Sequence, residues 1–407
     1  MTDPLNHSYY AATADDWRPR AFDGDLACDV AVIGGGFTGL SAALACAERG
    51  FSVLLFEAEH IGFGASGRNG GQLIPGLRWS ASELEGAFGR ERADALFELC
   101  WRDNRVKARI AKHAIACDLK AGHLEAAWTP RDFGAMQREA EFLAKRFGYE
   151  SDMIAKADMG AHIASPLYHG GIHDGQGGHF HPLNYAIGLA KAAEAAGVRI
   201  AEGYRAALDT AKARFVIDAT DHWIGDVEPD LGRYTVPIMN YNIATAPLAN
   251  ADDLLPSDAA VADSRFVLNY FRLSADKRLI FGGGERYSQT PPRDIAGFVR
   301  PFMARVFPQI ADAAIDYGWG GAVAVTRSRL PHIGRRGNAF FAHGFSGHGA
   351  LVTTLAGELI AEAMAGTAER FDVLAGLPSR PFPGGQWLRR PLATLGLLWY
   401  ALRDRVG

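Results

Sequence analysis

The hydrophobic pattern of this chain changes period several times. Residues 30–33 form a short apolar run of strand type, and residues 40–49 repeat Ala, Leu and Cys at helical spacing until Gly50. Residues 51–56 are a second apolar run, so 30–56 predicts a β-α-β unit. Residues 83–150 are rich in Ala, Leu, Glu, Lys and Arg and predict a helical insertion. Residues 170–182, crowded with glycine and histidine, predict a polar loop before a helix over 183–196 and a strand over 198–200. Residues 215–217 predict another buried strand. From 236 to 281 the pattern alternates with period two, best at 241–245 and 266–273, with a hairpin turn at Asp276-Lys277. A helix over 295–307, extended chain over 318–325 and a buried strand over 339–342 follow. Residues 1–26 carry Tyr9, Tyr10 and Trp17 without periodicity and read as an irregular surface arm. No internal repeat is evident.

The 407 residues are enough for two domains, and 48% apolar with 22% charged residues is ordinary for a globular protein. A formal net charge of −4 offers no nucleic-acid footprint, and Arg335-Arg336 and Arg389-Arg390 are too short to supply one. Cys28, Cys46, Cys100 and Cys117 form no CxxC pair and read as buried free thiols of a reducing compartment. The first residues show neither a basic region nor an apolar core, so the expected location is the cytoplasm. No uncharged apolar stretch reaches the length of about 18 residues that a spanning helix needs. Residues 391–402 are apolar and flanked by arginines. They predict a C-terminal helix within 386–407, docked on the body, with an interfacial membrane contact as the alternative.

The candidate chemistry lies in glycine-rich segments. Gly34-x-Gly36-x-x-Gly39 follows a strand, opens a helix and is followed by Glu57 at the end of the next strand. Gly34 suits a tight turn, Gly36 the approach of a pyrophosphate, and Gly39 close packing of helix on strand, while Glu57 can accept ribose hydroxyls. Glycines at 62, 64, 67, 70 and 71 form a second loop, which a flavin needs for its ribityl chain and an NAD site does not. A third segment, residues 343–349, opens an alanine-rich helix. A cofactor met at all three points is a long dinucleotide, FAD.

These motifs carry a resemblance. The run 32–44 (VIGGGFTGLSAAL), the loop 62–72 (GFGASGRNGGQ), residues 181–193, and GFSGHG at 344–349 with the helix after it are similar to those of one flavoprotein superfamily, as is PFPGG at 381–385. The chain resembles FAD-dependent amine oxidoreductases of the D-amino-acid oxidase, glycine oxidase and sarcosine oxidase superfamily, in its gamma-glutamylputrescine oxidase-like branch. That resemblance implies an α/β, two-domain fold, a Rossmann-type FAD domain joined to a substrate domain built on an antiparallel sheet. Residues 27–75, 155–245 and 315–385 would form the first, and 76–154 with 246–314 the second. It implies non-covalent FAD on Gly34, Gly36, Phe37, Thr38, Gly39, Glu57 and Ala58, then on Gly64, Ala65, Ser66, Arg68, Asn69, Gly70, Gly71 and Gln72. Thr220 and Trp223 would join them, and Gly344, Phe345, Ser346, Gly347, His348 and Gly349 would face the flavin. Two departures stand out. The stretch 203–216 is shorter than the hairpin expected beside the adenine, and Asp221 follows Thr220 where a small residue is expected near the phosphates.

The implied reaction is hydride transfer from the carbon beside a neutral amine to the flavin, giving an imine that hydrolyses. The amine is a small molecule, and the electrons pass to molecular oxygen or another acceptor. Tyr270, His348, Trp319 and Asn269 are the candidate catalytic residues, with Tyr241, Arg272, Glu285 and Tyr287 as further substrate contacts. Arg272, Arg327 and Arg329 are available for a substrate carboxylate. His169, His173, His179 and His181 cluster near Asp174 but lack metal-ligand spacing, so no metal is expected. The strand at 279–282 carries no lysine of the kind that serves oxygen in sarcosine oxidases. A dehydrogenase feeding a membrane quinone and a cofactor-poor, non-catalytic relative are the competing readings.

Overall fold

The apolar run near residue 30 becomes the strand Ala27–Ile33, central to a six-stranded sheet. The computed structural model describes residues 7–384, except 23 and 287–289, together with Pro391 and Thr394. Tyr287 and all but two residues of the expected tail helix therefore lie outside the described residues. The sheet runs in the order His332–Arg336, Ala339–His343, Lys212–Asp218, Ala27–Ile33, Val53–Phe56, Arg199–Ala201. Its pairs are parallel except the first, an edge hairpin. Parallel strands are covered on both faces, which is why Val53–Phe56 is apolar throughout and wholly buried. The carboxyl ends at Ile33, Phe56 and Asp218 lie in register along one edge, with Phe341 of Ala339–His343 paired beside Asp218, where open α/β sheets bind ligands.

Two helices from opposite ends of the chain lie against each other. Phe37–Ala47 begins at Gly36, and Ala350–Met364 begins at Gly349. Both are rich in small residues and are buried around most of their circumference. Gly357 touches the first helix at backbone distance: a Cβ there would stand 2.5 Å from the Thr38 carbonyl oxygen. Arg109, 6% exposed, pairs with Glu358 (2.5 Å) and Glu48 (2.6 Å), binding the helix Arg105–His113 to both.

The second sheet has nine strands. Its main path is Ile315–Thr326, Thr235–Thr245, Leu279–Arg286, Tyr270–Leu273, Ala260–Asp263, Lys120–Ala126, Gly170–His179, Gln72–Leu73. Asp152–Ala155 pairs beside Gly170–His179. The path is antiparallel apart from the parallel pair Ala260–Asp263 with Lys120–Ala126. The architecture is thus the expected α/β fold of two sheets. Strands such as Gln72–Leu73 and Gly170–His179 join the larger sheet although they fall in ranges assigned from sequence to the cofactor domain.

Three local expectations are corrected. The polar loop at 170–182 is the strand Gly170–His179, which pairs with three partners. Its glycines and histidines conceal the strand because backbone pairing, not side-chain alternation, holds it. The helical insertion is interrupted by Lys120–Ala126, likewise identified by its partners. The irregular arm contains the helix Tyr9–Thr13, capped by Ser8, with Tyr9 and Tyr10 buried. Tyr10 packs edge-on against Trp319 at 5.2 Å between centroids. The free cysteines are all buried except Cys28, which is half-buried.

Asp218 ends its strand with no solvent exposure. One carboxylate oxygen accepts from the Thr220 backbone N–H (3.0 Å) and hydroxyl (2.5 Å), and the other has no partner among the described residues. Burial pushes its pKa up to about 7, against the lowering effect of Thr220. A carboxyl with a raised folded-state pKa costs stability as pH climbs from its unfolded value through the folded one. Asp218→Asn, which keeps the shape without the charge, should therefore gain on the wild type between pH 5 and pH 8. The gain expected is roughly 2–3 kcal/mol. Melting of both apoproteins across this range checks it; a constant difference would refute the buried-charge account.

Candidate active site

The first glycine turn lies where the central strand meets its helix. Gly34 has φ +108°, and a Cβ would stand 2.7 Å from the Ala219 carbonyl oxygen. Gly39 does not line the cavity; it sits against the Gly34 carbonyl, bringing helix and strand together. Gly36 caps the helix without a side-chain hydrogen bond. The first-turn N–H groups therefore face a space suited to an anion, except Phe37 N–H, which Ser66 Oγ takes at 2.9 Å. Glu57 accepts from the backbone N–H groups of Gly35 (2.7 Å) and Glu59 (2.9 Å), and burial raises its pKa against those bonds. Its carboxylate is fixed beside the turn, with Ala58 and Thr38 on the same wall.

The loop at 62–72 is held from behind. Arg68 Nε donates to the Phe63 carbonyl (2.7 Å), with the guanidinium 4.9 Å from the Phe63 ring. Asn69 Nδ2 donates to the carbonyls of Ala65 (3.0 Å) and Ser66 (2.9 Å), and its oxygen accepts from Gly71 N–H (2.7 Å). Gln72 Nε2 donates to the Val261 carbonyl at 2.8 Å. Gly64, Ala65, Ser66, Arg68, Asn69, Gly70 and Gln72 line the cavity, whereas Gly71 packs beneath the loop against Phe180 and Arg272. Trp223 stacks on Phe63 and touches Gly64, and Thr220 lies beside it on the wall.

The third glycine segment closes the same cavity. Phe345, Ser346, Gly347, His348 and Gly349 line it; Gly344 does not. Gly349 caps its helix, again without a side-chain bond. Asp221 turns its carboxylate to the Gly344 N–H (2.9 Å), away from the role of a bare charge, and burial lifts its pKa to about 6. His348 is held neutral near pH 7: burial, with the charge of Arg78 assisting, lowers its pKa to about 4. Its Nε2 is buried and has no hydrogen-bond partner among the described residues. The short stretch after Gly203 still contributes Tyr204, Arg205 and Ala206 to the wall. Phe22 of the N-terminal arm packs on Tyr204 at 6.2 Å between centroids.

All these elements surround one cavity of about 1170 Å³. Of the four candidate catalytic residues, Tyr270 and His348 line it, and Trp319 and Asn269 do not. Trp319 is fully buried and donates from Nε1 to the Arg68 carbonyl at 2.9 Å, so it supports the loop. Asn269 is 1% exposed, with its backbone N–H tied to Asp263 (3.0 Å). Tyr241 packs in the core on Phe298. Arg272, 3% exposed, donates to the Gly70 carbonyl (2.9 Å) and to Tyr10 Oη (3.1 Å) behind the loop. Tyr270 donates its hydroxyl to Asn240, and its ring lies against Gly70. Arg329 lines the cavity over the Phe266 ring, and Arg327 points to the Pro381 carbonyl.

Sequence reasoning missed Arg78, His123, Glu125 and Asn240, which also line the cavity. Strand alternation places His123 and Glu125 on one face, yet the strand itself was concealed inside a helix-rich segment. The histidine cluster is structural. His181 caps the helix Pro182–Ala195, His179 meets the Asp258 carbonyl (2.8 Å), and His173 lies 3.4 Å from Asp152. Among the described residues, no group of three or more His, Cys, Asp or Glu could hold a metal ion, and no helix is long and apolar enough to cross a membrane.

Comparison with known proteins agrees with this geometry. The profile of the family described as FAD dependent oxidoreductase matches residues 29–363. The chain is 39% identical over 419 residues to gamma-glutamylputrescine oxidoreductase of Escherichia coli (strain K12), covering 98% of each. It is 37% identical over 421 residues to a probable oxidoreductase OrdL of Rhizobium meliloti (strain 1021), covering 98% of this chain and 97% of the relative. The crystal structure of glycine oxidase from Geobacillus kaustophilus superposes with a TM-score of 0.67 at 21% identity, over 82% of this chain and 94% of that one. With the matched profile spanning both glycine-lined helix starts, the chain belongs to the family of FAD-dependent oxidoreductases.

Proposed function

We propose that this enzyme oxidises a C–N bond of a small amine or amino acid, a gamma-glutamylated diamine being the favoured substrate type, with oxygen as electron acceptor. The observation that carries the reading is the shared cavity: two helix starts without side-chain caps and the Gly62–Gly71 loop open onto one space beside Tyr270. The similarity to gamma-glutamylputrescine oxidoreductase, extending over 98% of both chains, supports the substrate type.

The residues present fit FAD. Glu57 and the amides after Gly36 would hold its adenosine and diphosphate half, and Ala65–Gln72 its ribityl and ring. The buried, unpartnered Nε2 of His348 and the start of the helix Ala350–Met364 suit the polar edge of the ring. Cys28, Cys46, Cys100 and Cys117 are not on the cavity wall, in keeping with non-covalent attachment. When bound, FAD supplies the hydride acceptor. The protein's own task is to orient a neutral amine, exclude water and stabilise developing negative charge. Tyr270 offers an aromatic wall to the amine and its carbon chain. His348, neutral at working pH, adds no positive charge that would repel a cationic amine on entry. The substrate C–H pair leaves as hydride, the nitrogen lone pair forms C=N, and water hydrolyses the imine to a carbonyl and an amine.

Glu57→Ala should lose about tenfold or more in FAD affinity, since the removed carboxylate is the acceptor for ribose hydroxyls. Titration of apoprotein with FAD measures it; wild-type affinity in a folded variant would refute that role for Glu57. Anaerobic mixing of the flavin-bound enzyme with a gamma-glutamylated diamine, putrescine or glycine should bleach the oxidised-flavin band, fastest with the first. Readmitted oxygen should restore the band and release one peroxide per imine. A flavin-replete enzyme bleached by none of them would overturn amine oxidation. Slow recovery with oxygen but fast recovery with a soluble quinone would replace oxygen as acceptor.

A further inference from the structure

One row of paired residues crosses the larger sheet from the cofactor loop into the open half of the cavity. Trp319 pairs with Asn242, Asn242 with Gly282 and Gly282 with Tyr270. Tyr270 then pairs with Ala262, Ala262 with Glu125, and Glu125 with Ile172. Residues paired in register share one face of a sheet. At the cofactor end, Trp319 Nε1 (2.9 Å) and Asn242 Nδ2 (3.3 Å) both donate to the Arg68 carbonyl, and Tyr270 lies against Gly70. Glu125 stands two strands beyond Tyr270, about 10 Å away at the usual spacing of neighbouring strands.

The amine-oxidation reading leaves Glu125 without a role. Its side chain is exposed on the cavity wall. The acids around it are occupied. Asp132 caps its helix through Thr129 N–H (3.1 Å) and accepts from Ser264 Oγ (2.7 Å). Glu139 accepts from the Ser82 backbone N–H (3.2 Å) and hydroxyl. Enclosure raises the Glu125 pKa, Asp132 and Glu139 add to this, and the charge of Arg78 opposes it. Arg78 lines the same cavity, and its charge acts on His348 as well as on Glu125. A carboxylate on a cavity wall beside two further acids favours a cation in the space it faces. A carboxylate and a guanidinium on one wall match the two charges of an α-amino-acid head.

We propose that Glu125 and Arg78 form a far-end subsite for the zwitterionic head of an elongated amine, Glu125 taking the ammonium and Arg78 the carboxylate. The proposal rests on the amine-oxidation reading and deepens it. The carbon to be oxidised lies beside Tyr270 and Gly70, while the head lies about 10 Å away. A glycine-sized amino acid cannot span that distance. An α-amino acid joined through its side chain to an aminoalkyl chain can. Selectivity then comes from the contacts at Glu125 and Arg78 that a shorter amine, held beside Tyr270, cannot reach.

The test separates binding from turnover. Gamma-glutamyl-n-butylamide carries the head and the chain without the terminal amine. Its binding to the flavin-bound protein is read by calorimetry and by perturbation of the flavin spectrum. Glu125→Gln and Arg78→Gln should each weaken it about tenfold or more. Glu125→Asp and Arg78→Lys should recover part of the loss. With flavin content matched, Glu125→Gln should also lower, by about tenfold or more, the ratio of kcat/KM for a gamma-glutamylated diamine to that for n-butylamine. No binding by the wild type, wild-type binding by both Gln variants, or an unchanged ratio would overturn the subsite. Because the butylamide need not turn over, normal binding without oxidation of any amine would overturn the activity reading and leave the subsite standing.

Discussion

The site depends on a backbone contact between two helices that are far apart in sequence. Gly357 brings Ala350–Met364 against Thr38 and Ala42 of Phe37–Ala47. A side chain at Gly357 would push the helices apart, and their starts would no longer open onto one cavity. Each start leaves N–H groups without a side-chain cap, a local cost that a bound anion or an electron-rich ring edge offsets. The small residues crowding both helices follow from this. They are poor at filling space but good at allowing backbones to approach.

A second constraint is the buttressing of the loop at 62–72. Its outward face is left for a ligand, so its carbonyls are held from the other side. Arg68 O is gripped by Trp319 and Asn242, and Gly70 O by Arg272, which in turn reaches Tyr10 in the N-terminal helix. The larger sheet thus buttresses the loop as well as lining the cavity. Trp319 and Arg272 look like active-site residues in sequence because aromatic and cationic side chains suit an amine site. In the structure they are buried supports whose hydrogen bonds are made to the loop backbone. Electrostatics around the first and third glycine segments are similarly restrained. Asp221, which by position would oppose a diphosphate, is drawn to the Gly344 N–H.

Much of the site was legible in the chain alone, for reasons of backbone chemistry. A turn that must approach a phosphate needs glycine at fixed offsets, an adenosine ribose needs an acidic residue at the next strand end, and both requirements leave a spacing that survives without coordinates. The β-α-β unit at the start and the strand preceding the third glycine segment were equally plain, because buried parallel strands are continuous apolar runs. The strand Gly170–His179 was not, because its residues have no apolar alternation and its identity lies in its partners. Lys120–Ala126 was concealed for the same reason, and with it Glu125.

The chain by itself determined the kind of cofactor and the three glycine segments expected to meet it, since each rests on local glycine geometry; the two-domain plan came from the family resemblance those segments carry. Tertiary structure alone decided which side chains reach the cavity. That choice depends on strand register, where a shift of one residue reverses every side chain, and no local pattern carries the register between strands distant in sequence. It separated Tyr270 and His348, which line the space, from Trp319 and Arg272, which support its loop, and from Asn269, which is buried away from it. It also placed Glu125 and Arg78 on the cavity wall, where the pairing of Lys120–Ala126 with Ala260–Asp263 brings the Glu125 carboxylate into line with Tyr270.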